Sequence, residues 1–86
     1  MRNLEKLLKA VANRRRLEIL AHLKRTRQAT VGDIADAIKL SFKATSKHLG
    51  VLANAEVVES EKKSLLVFYR LTPRQHQLAR HLINVL

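Results

Sequence analysis

The side chains of this 86-residue chain that could do chemistry are cationic and hydrogen-bonding rather than catalytic. From Phe42 to Ala55, at about 100° per residue, Lys43, Ser46, Lys47, Gly50 and Asn54 point one way, while Thr45, Leu49 and Leu52 point the other. One face can pack and the other can meet a ligand. No acid lies between Ala37 and Ala55, and an exposed Gly50 costs about 1 kcal/mol in a helix interior unless close approach of a ligand rewards it. A merely solvated polar stripe explains neither feature; contact with duplex DNA explains both. An enzyme is the least expected class, because the chain offers no nucleophile paired with a base, no metal cluster and no phosphate-cradling glycine loop.

Charge supports a polyanionic partner. Seventeen Lys and Arg against seven Asp and Glu give a formal +10, which is self-repulsive unless a polyanion offsets it. A membrane surface is the rival polyanion, but a membrane binder usually shows Trp or Phe beside its basic residues, and here there is no Trp, one Tyr and two Phe. The same shortage argues against single-stranded nucleic acid, which is held by base stacking on aromatic rings. Double-stranded DNA is the expected partner. The absence of cysteine excludes disulfides, thiolate metal sites and redox thiols. No apolar run approaches the ~20 residues of a membrane span, and the N-terminus does not read as a secretory signal, so a cytoplasmic protein without a membrane is expected. Apolar residues at 47% predict one globular domain, small enough that oligomerisation would help it.

Helices must position the polar face. Thr30 reads as an N-cap with Asp33 in the first turn, and Val31, Ile34, Ala35 and Ile38 follow the spacing of one buried stripe. Ser41 caps the next helix. The pair, with its short turn, has helix-turn-helix order. Upstream, Leu4, Leu7, Leu8 and Val11 share one face of a first helix. Asn13 looks like the cap of a second helix, Arg14 to about Lys24, with Leu17, Leu20, Ala21 and Leu23 as its core stripe and Ile19 at the margin. Arg14, Arg15 and Arg16 sit at the positive end of that helix dipole, poor placement for stability, so they read either as phosphate contacts or as a solvated turn. The stretch from Arg25 to Ala29 reads as a loop.

Downstream, Val57 to Glu61 and Leu65 to Leu71 read as a β-hairpin joined by Lys62, Lys63 and Ser64. Its tip lacks the glycine favoured by primed two-residue turns. The lysine pair suits DNA phosphates or the minor groove; the alternative is a charged tip that keeps an edge strand soluble. Thr72 as cap and Pro73 at the first position then predict a last helix to the C-terminus, with Leu78, Leu82 and Val85 on one stripe. That stripe and the first helix together suit a second copy of the chain.

The residues in this order resemble the ArsR/SmtB family of winged-helix transcriptional regulators, from about residue 7 to 71. AVANRRRLEIL is similar to the family's ALADPTRLRIL, and VFYRLT to its VYYRL. In the helix-turn-helix, Leu40, Ser41, Ser46, His48, Leu49 and Leu52 match LSxSxVSxHLxxL. The resemblance implies a mainly α, α+β winged helix-turn-helix of about five helices with a two-stranded β-wing, acting as a homodimer on an operator, usually as a repressor. The helix-turn-helix would span about 31–55, the wing about 57–71 and the dimerisation helices about 3–12 and 73–85. Carried over, DNA contacts would come from Ser41, Phe42, Lys43, Ser46, Lys47, His48, Lys62, Lys63 and Arg14, and the dimer interface from Leu4, Leu7, Leu8, Leu78, Leu82 and Val85. His48 lies between the two faces, so it is either a packed histidine or a base contact.

Departures from the family bear on sensing. The cysteine pair of metal-sensing members, ELCVCDL, is absent, with Thr30, Val31, Gly32 and Asp33 in that region. His76 and His81 are spaced about 140° apart around a helix, unsuited to a shared metal site. Neither a metal nor another cofactor is expected. Glu56 stands where a glycine is usual after the recognition helix, and Phe42 replaces a polar residue. Two other readings fit the same charge: an architectural or virus-encoded protein coating DNA without sequence preference, and a winged helix that binds an acidic protein.

Overall fold

A computed structural model describes residues 1–86 as α1 (Arg2–Val11), α2 (Arg14–Thr26), β1 (Ala29–Thr30), α3 (Val31–Ile38), α4 (Phe42–Asn54), β2 (Val58–Lys63), β3 (Leu66–Leu71) and α5 (Gln77–Asn84). Three helices start at the caps the sequence predicts. Asn13 accepts the Arg16 N–H at 3.1 Å, Thr30 accepts the Asp33 N–H at 3.2 Å, and Ser41 accepts the Ala44 N–H at 3.1 Å. Each bond satisfies an otherwise orphaned donor of a first turn.

Helices α3 and α4 end alike, and this sets the geometry on both sides of the recognition helix. Lys39 takes φ 57°, while Lys39 N–H reaches Asp36 O and Leu40 N–H reaches Ala35 O. Glu56 takes φ 61°, with Glu56 N–H on Ala53 O and Val57 N–H on Leu52 O. Both are Schellman turns, whose left-handed residue is usually glycine. The sequence position lacking its expected glycine therefore keeps the left-handed backbone, and Glu56 carries its strain.

The core gathers Leu7, Ala10 and Val11 of α1, Ile19, Leu20 and Leu23 of α2, Ile34 and Ile38 of α3, Leu49 and Leu52 of α4, Val57 and Val58, and Ala79 and Ile83 of α5. Ile19, predicted at the margin of α2, is fully buried, while Leu17 is half-buried. The α2 stripe is thus rotated toward Ile19, because α2 packs against α3, α4, α5 and the sheet at once. Thr45, the single buried polar side chain, is satisfied by Ser41 O at 2.8 Å.

Three strands form the sheet, not two, in the order β1-β3-β2. Ala29 pairs with Tyr69 and Thr30 with Phe68, so the end of the predicted 25–29 loop is a strand, and α2 continues to Thr26. The wing hairpin is longer than predicted. Lys62 and Lys63 are not its tip but lie in β2 opposite Val67 and Leu66, leaving Ser64 and Leu65 to make the turn. Ser64 takes φ 60°, the backbone a primed turn requires, without the usual glycine.

The last helix also differs. Thr72 does not cap it and Pro73 does not start it: Thr72 N–H bonds Val57 O and extends the sheet edge. Gln75 Nε2 reaches the same carbonyl at 2.9 Å, holding the connection flat against the core. Helix α5 begins at Gln77 with His76 as cap, its Nδ1 accepting the Leu78 N–H at 3.0 Å. No helix is long and apolar enough to cross a membrane. The fold is the α+β winged helix-turn-helix expected from the sequence, enlarged by one strand.

Candidate nucleic-acid interface

Helix α4 is held by its buried side, Thr45, Leu49 and Leu52, each wholly inaccessible. That anchoring turns Lys43, Ser46, Lys47 and Gly50 outward, all exposed. Lys43, Ser46 and Lys47 make no side-chain hydrogen bond or ion pair within the chain, so their donors are free for a ligand. A Cβ built on Gly50 would meet nothing within 4 Å, so the chain's own packing does not require the glycine. Phe42 is 63% exposed at the start of the helix. The hydroxyl oxygen of Ser41 is engaged as the helix cap, which leaves its proton as the group available outward.

The arginine cluster at the start of α2 divides. Arg15 Nη1 donates to Ile38 O at 2.7 Å and to Glu18 Oε1 at 3.1 Å, closing the C-terminus of α3. Arg16 Nε donates to Ala10 O at 2.5 Å and its Nη2 to Lys9 O at 3.4 Å, closing the C-terminus of α1. Cations placed badly for their own helix thus sit well for two others, at the negative ends of those dipoles. Arg14 alone points out, with its side chain 90% exposed and only a 3.6 Å ion pair to Glu18. Of the three, it is the one free to meet phosphate. Sequence periodicity cannot show this division, because the carbonyls involved lie on other helices.

His48 is half-buried between the two faces of α4, as its helical position predicts. Its Nδ1 lies 3.3 Å from Arg16 Nη1. Burial first, and then the charges of Arg16, Lys47 and Arg15, holds its imidazole below the ordinary histidine pKa.

The wing lysines divide too. Lys63 Nζ contacts Gln28 Oε1 at 3.2 Å and Glu61 at 3.9 Å, and lies 5.6 Å from the centre of the Phe68 ring. Lys62, on the opposite face of β2, has no such partner and is exposed. Arg70 bridges Glu59 at 2.6 Å and Glu61 at 3.4 Å, so the Lys63 side of the wing carries its own charge network. At the tip, beside Ser64, Leu65 is 90% exposed.

On α1 and in the C-terminal segment, Leu8 is 45% and Val85 80% exposed, and Leu4, Leu78 and Leu82 are half-buried. Leu7, predicted with them, is only 4% exposed and belongs to the core. It lies about 60° or more around α1 from Leu4 and Leu8, which places it under the helix. No three His, Asp or Glu side chains are grouped to hold a metal ion, and His76 is occupied as the cap of α5.

Residues 13–60 match the sequence profile of the arsR family of bacterial regulatory proteins. The chain belongs to the ArsR family. It is 41% identical over 66 residues to the transcriptional activator HlyU of Vibrio cholerae, covering 77% of this chain and 60% of that protein. The match therefore spans less than two thirds of HlyU. It is 35% identical over 65 residues to the transcriptional repressor SdpR of Bacillus subtilis, covering 76% and 71% respectively. In three dimensions the homodimeric winged helix-turn-helix DNA-binding domain Mb0332 of Mycobacterium bovis superposes with a TM-score of 0.85 at 28% identity, over 98% of this chain and 75% of that one. This chain has no cysteine, and Glu56 takes a left-handed backbone conformation.

Proposed function

We propose that this ArsR-family chain is a homodimeric, sequence-specific regulator that binds duplex DNA and represses transcription by occluding a promoter. The observation that carries the reading is the acid-free outer face of α4, where Lys43, Ser46 and Lys47 stand exposed and unpartnered. Ser46, Lys47 and His48 are nearest the bases; Lys43, Lys62 and Arg14 meet phosphates, as the N-terminal half of a recognition helix and a flanking wing would. The second copy covers Leu4 and Leu8 of α1, Leu78 and Leu82 of α5 and Val85 just beyond it, apolar groups that are exposed or half-buried in the single chain. The relatives act in both directions, one named an activator and one a repressor; occlusion is the outcome that needs no further contact surface.

Selection of genomic fragments by the purified protein at physiological salt, followed by competition with random duplex, tests this. Two half-sites centred about 10 base pairs apart are expected. Three or four phosphate contacts per protomer predict a log–log salt slope of about −5 to −7 for the dimer. Affinity equal on random duplex would assign the protein to architectural coating, and affinity unchanged between about 50 and 200 mM salt would end the DNA reading.

A further inference from the structure

The guanidinium of Arg16 touches both α1 and the recognition helix. Its Nε and Nη2 close the C-terminal carbonyls of α1, at Ala10 and Lys9, and its Nη1 meets His48 Nδ1. A guanidinium has donors and no lone pair to accept with, so in this contact Nδ1 is the acceptor. A neutral imidazole that accepts at one nitrogen carries its proton on the other. His48 therefore presents Nε2–H and no acceptor.

We propose that Arg16 is a positioning residue for DNA reading: it fixes His48 in the tautomer whose Nε2–H donates to a purine N7 in the major groove. This rests on the DNA reading above. A lone donor discriminates by what it cannot do. It can pair with the acceptors purine N7, guanine O6 and thymine O4, but it cannot accept from the exocyclic amine of cytosine or adenine, and only purine N7 is removed by a 7-deaza substitution. The structure adds two supports. His48 stands one residue from Lys47 and two from Ser46 on the same turn of α4, at the edge of the exposed face. Burial, and then the charges of Arg16, Lys47 and Arg15, disfavour the imidazolium and favour the neutral donor. Lysine could not replace Arg16, since a single ammonium cannot serve two helices through a rigid planar fork.

Two measurements test the proposal. Nitrogen-15 spectra of the His48 imidazole in the DNA-free protein should show Nε2 protonated and Nδ1 bare; the reverse tautomer, or an even mixture, overturns it without reference to DNA. Next, each purine of the selected operator is replaced by its 7-deaza analogue, which removes N7 alone. One position per half-site should cost wild type about tenfold in affinity, on the order of one base-edge bond. His48→Ala should lose a similar factor on natural DNA and be indifferent to that deaza position. Arg16→Met should shrink the same penalty to under about twofold, and Arg16→Lys should do likewise, which covers the case where loss of the α1 cap prevents folding. A merely structural Arg16 would lower affinity at every position alike and leave the deaza penalty intact. Tight binding with a flat deaza scan overturns this inference and leaves the DNA reading standing; no binding to any duplex overturns both.

Discussion

Replacing Gly50 by alanine should move stability and DNA affinity in opposite directions. In an exposed helix interior the exchange is worth about 0.8–1 kcal/mol in favour of alanine, and no atom within 4 Å of the new Cβ subtracts from it. For a domain of this size that gain raises the thermal midpoint by about 4–8 °C. On DNA the same methyl stands one turn beyond Ser46 and Lys47, on the outward face of α4. Held off by even part of a methyl diameter, those two side chains lose their contact geometry. With each hydrogen bond worth about 1 kcal/mol, the loss is about 1–2 kcal/mol per protomer, roughly fivefold to thirtyfold for each half-site and the square of that for the dimer on its operator. Circular dichroism melts of the DNA-free protein, and fluorescence anisotropy on the selected operator at fixed salt, measure the two effects separately. A raised midpoint with unchanged affinity would show that this face does not approach DNA. An unchanged or lowered midpoint would refute the account of Gly50 as a residue the fold itself does not need.

The two Schellman turns give a second test: Lys39→Gly and Glu56→Gly should each stabilise by about 1 kcal/mol by relieving left-handed strain, read as a raised denaturant midpoint at constant slope. Lys62→Ala should lower the magnitude of the log–log salt slope by about 0.9 per protomer, whereas Lys63→Ala, whose ammonium is already shared with Gln28, Glu61 and Phe68, should change it less; equal effects would contradict the division of the wing. The folded pKa of His48 is depressed, so as pH falls the unfolded chain takes up this proton first. Its stabilisation is complete above about 6.5 and is lost as pH drops through the lower folded value. Denaturant midpoints followed from about pH 7.5 to 5 should therefore decline less in His48→Asn than in wild type.

Where the information was local, the sequence was readable. Caps at Asn13, Thr30 and Ser41 depend on side chains and backbone within three residues, and helical periodicity correctly divided α4 into its buried and exposed sides. Where a distant partner decides, it was not. The two residues of β1 are too few to show alternation, and only β3, about forty residues on, makes them a strand. Thr72 and Pro73 carry good helix-start chemistry, yet Val57 O holds that segment to the sheet and delays α5 to Gln77. Leu7 shares an apolar face with Leu4 and Leu8, but which edge of a broad stripe is covered depends on the core beneath. The candidate site was legible as a face and illegible as a network: spacing exposed Lys43, Ser46 and Lys47, but not the contacts that occupy Arg15, Arg16 and Lys63.

Those occupied cations change what the +10 charge means. Arg15 and Arg16 bind helix-end carbonyls of α3 and α1, Lys24 binds the Asn84 and Leu86 carbonyls at the end of α5, and Lys63 and Arg70 belong to the wing's own ion pairs. Each neutralises a helix dipole or a carboxylate inside the fold, so none needs DNA to offset it. Lys43, Lys47 and Lys62 lack such a bond, as do Arg2, Lys6, Arg25, Arg27, Lys39, Arg74 and Arg80 elsewhere, and Arg14 keeps only an exposed one. Arg15 and Arg16 thus tie the ends of α3 and α1 to α2, and in the proposed function the cations left without such bonds are the ones that meet DNA. Salt should consequently weaken DNA binding far more steeply than it weakens folding, because counterion release acts only on the second set. Parallel losses of stability and affinity across one salt series would mean the two sets are not separate.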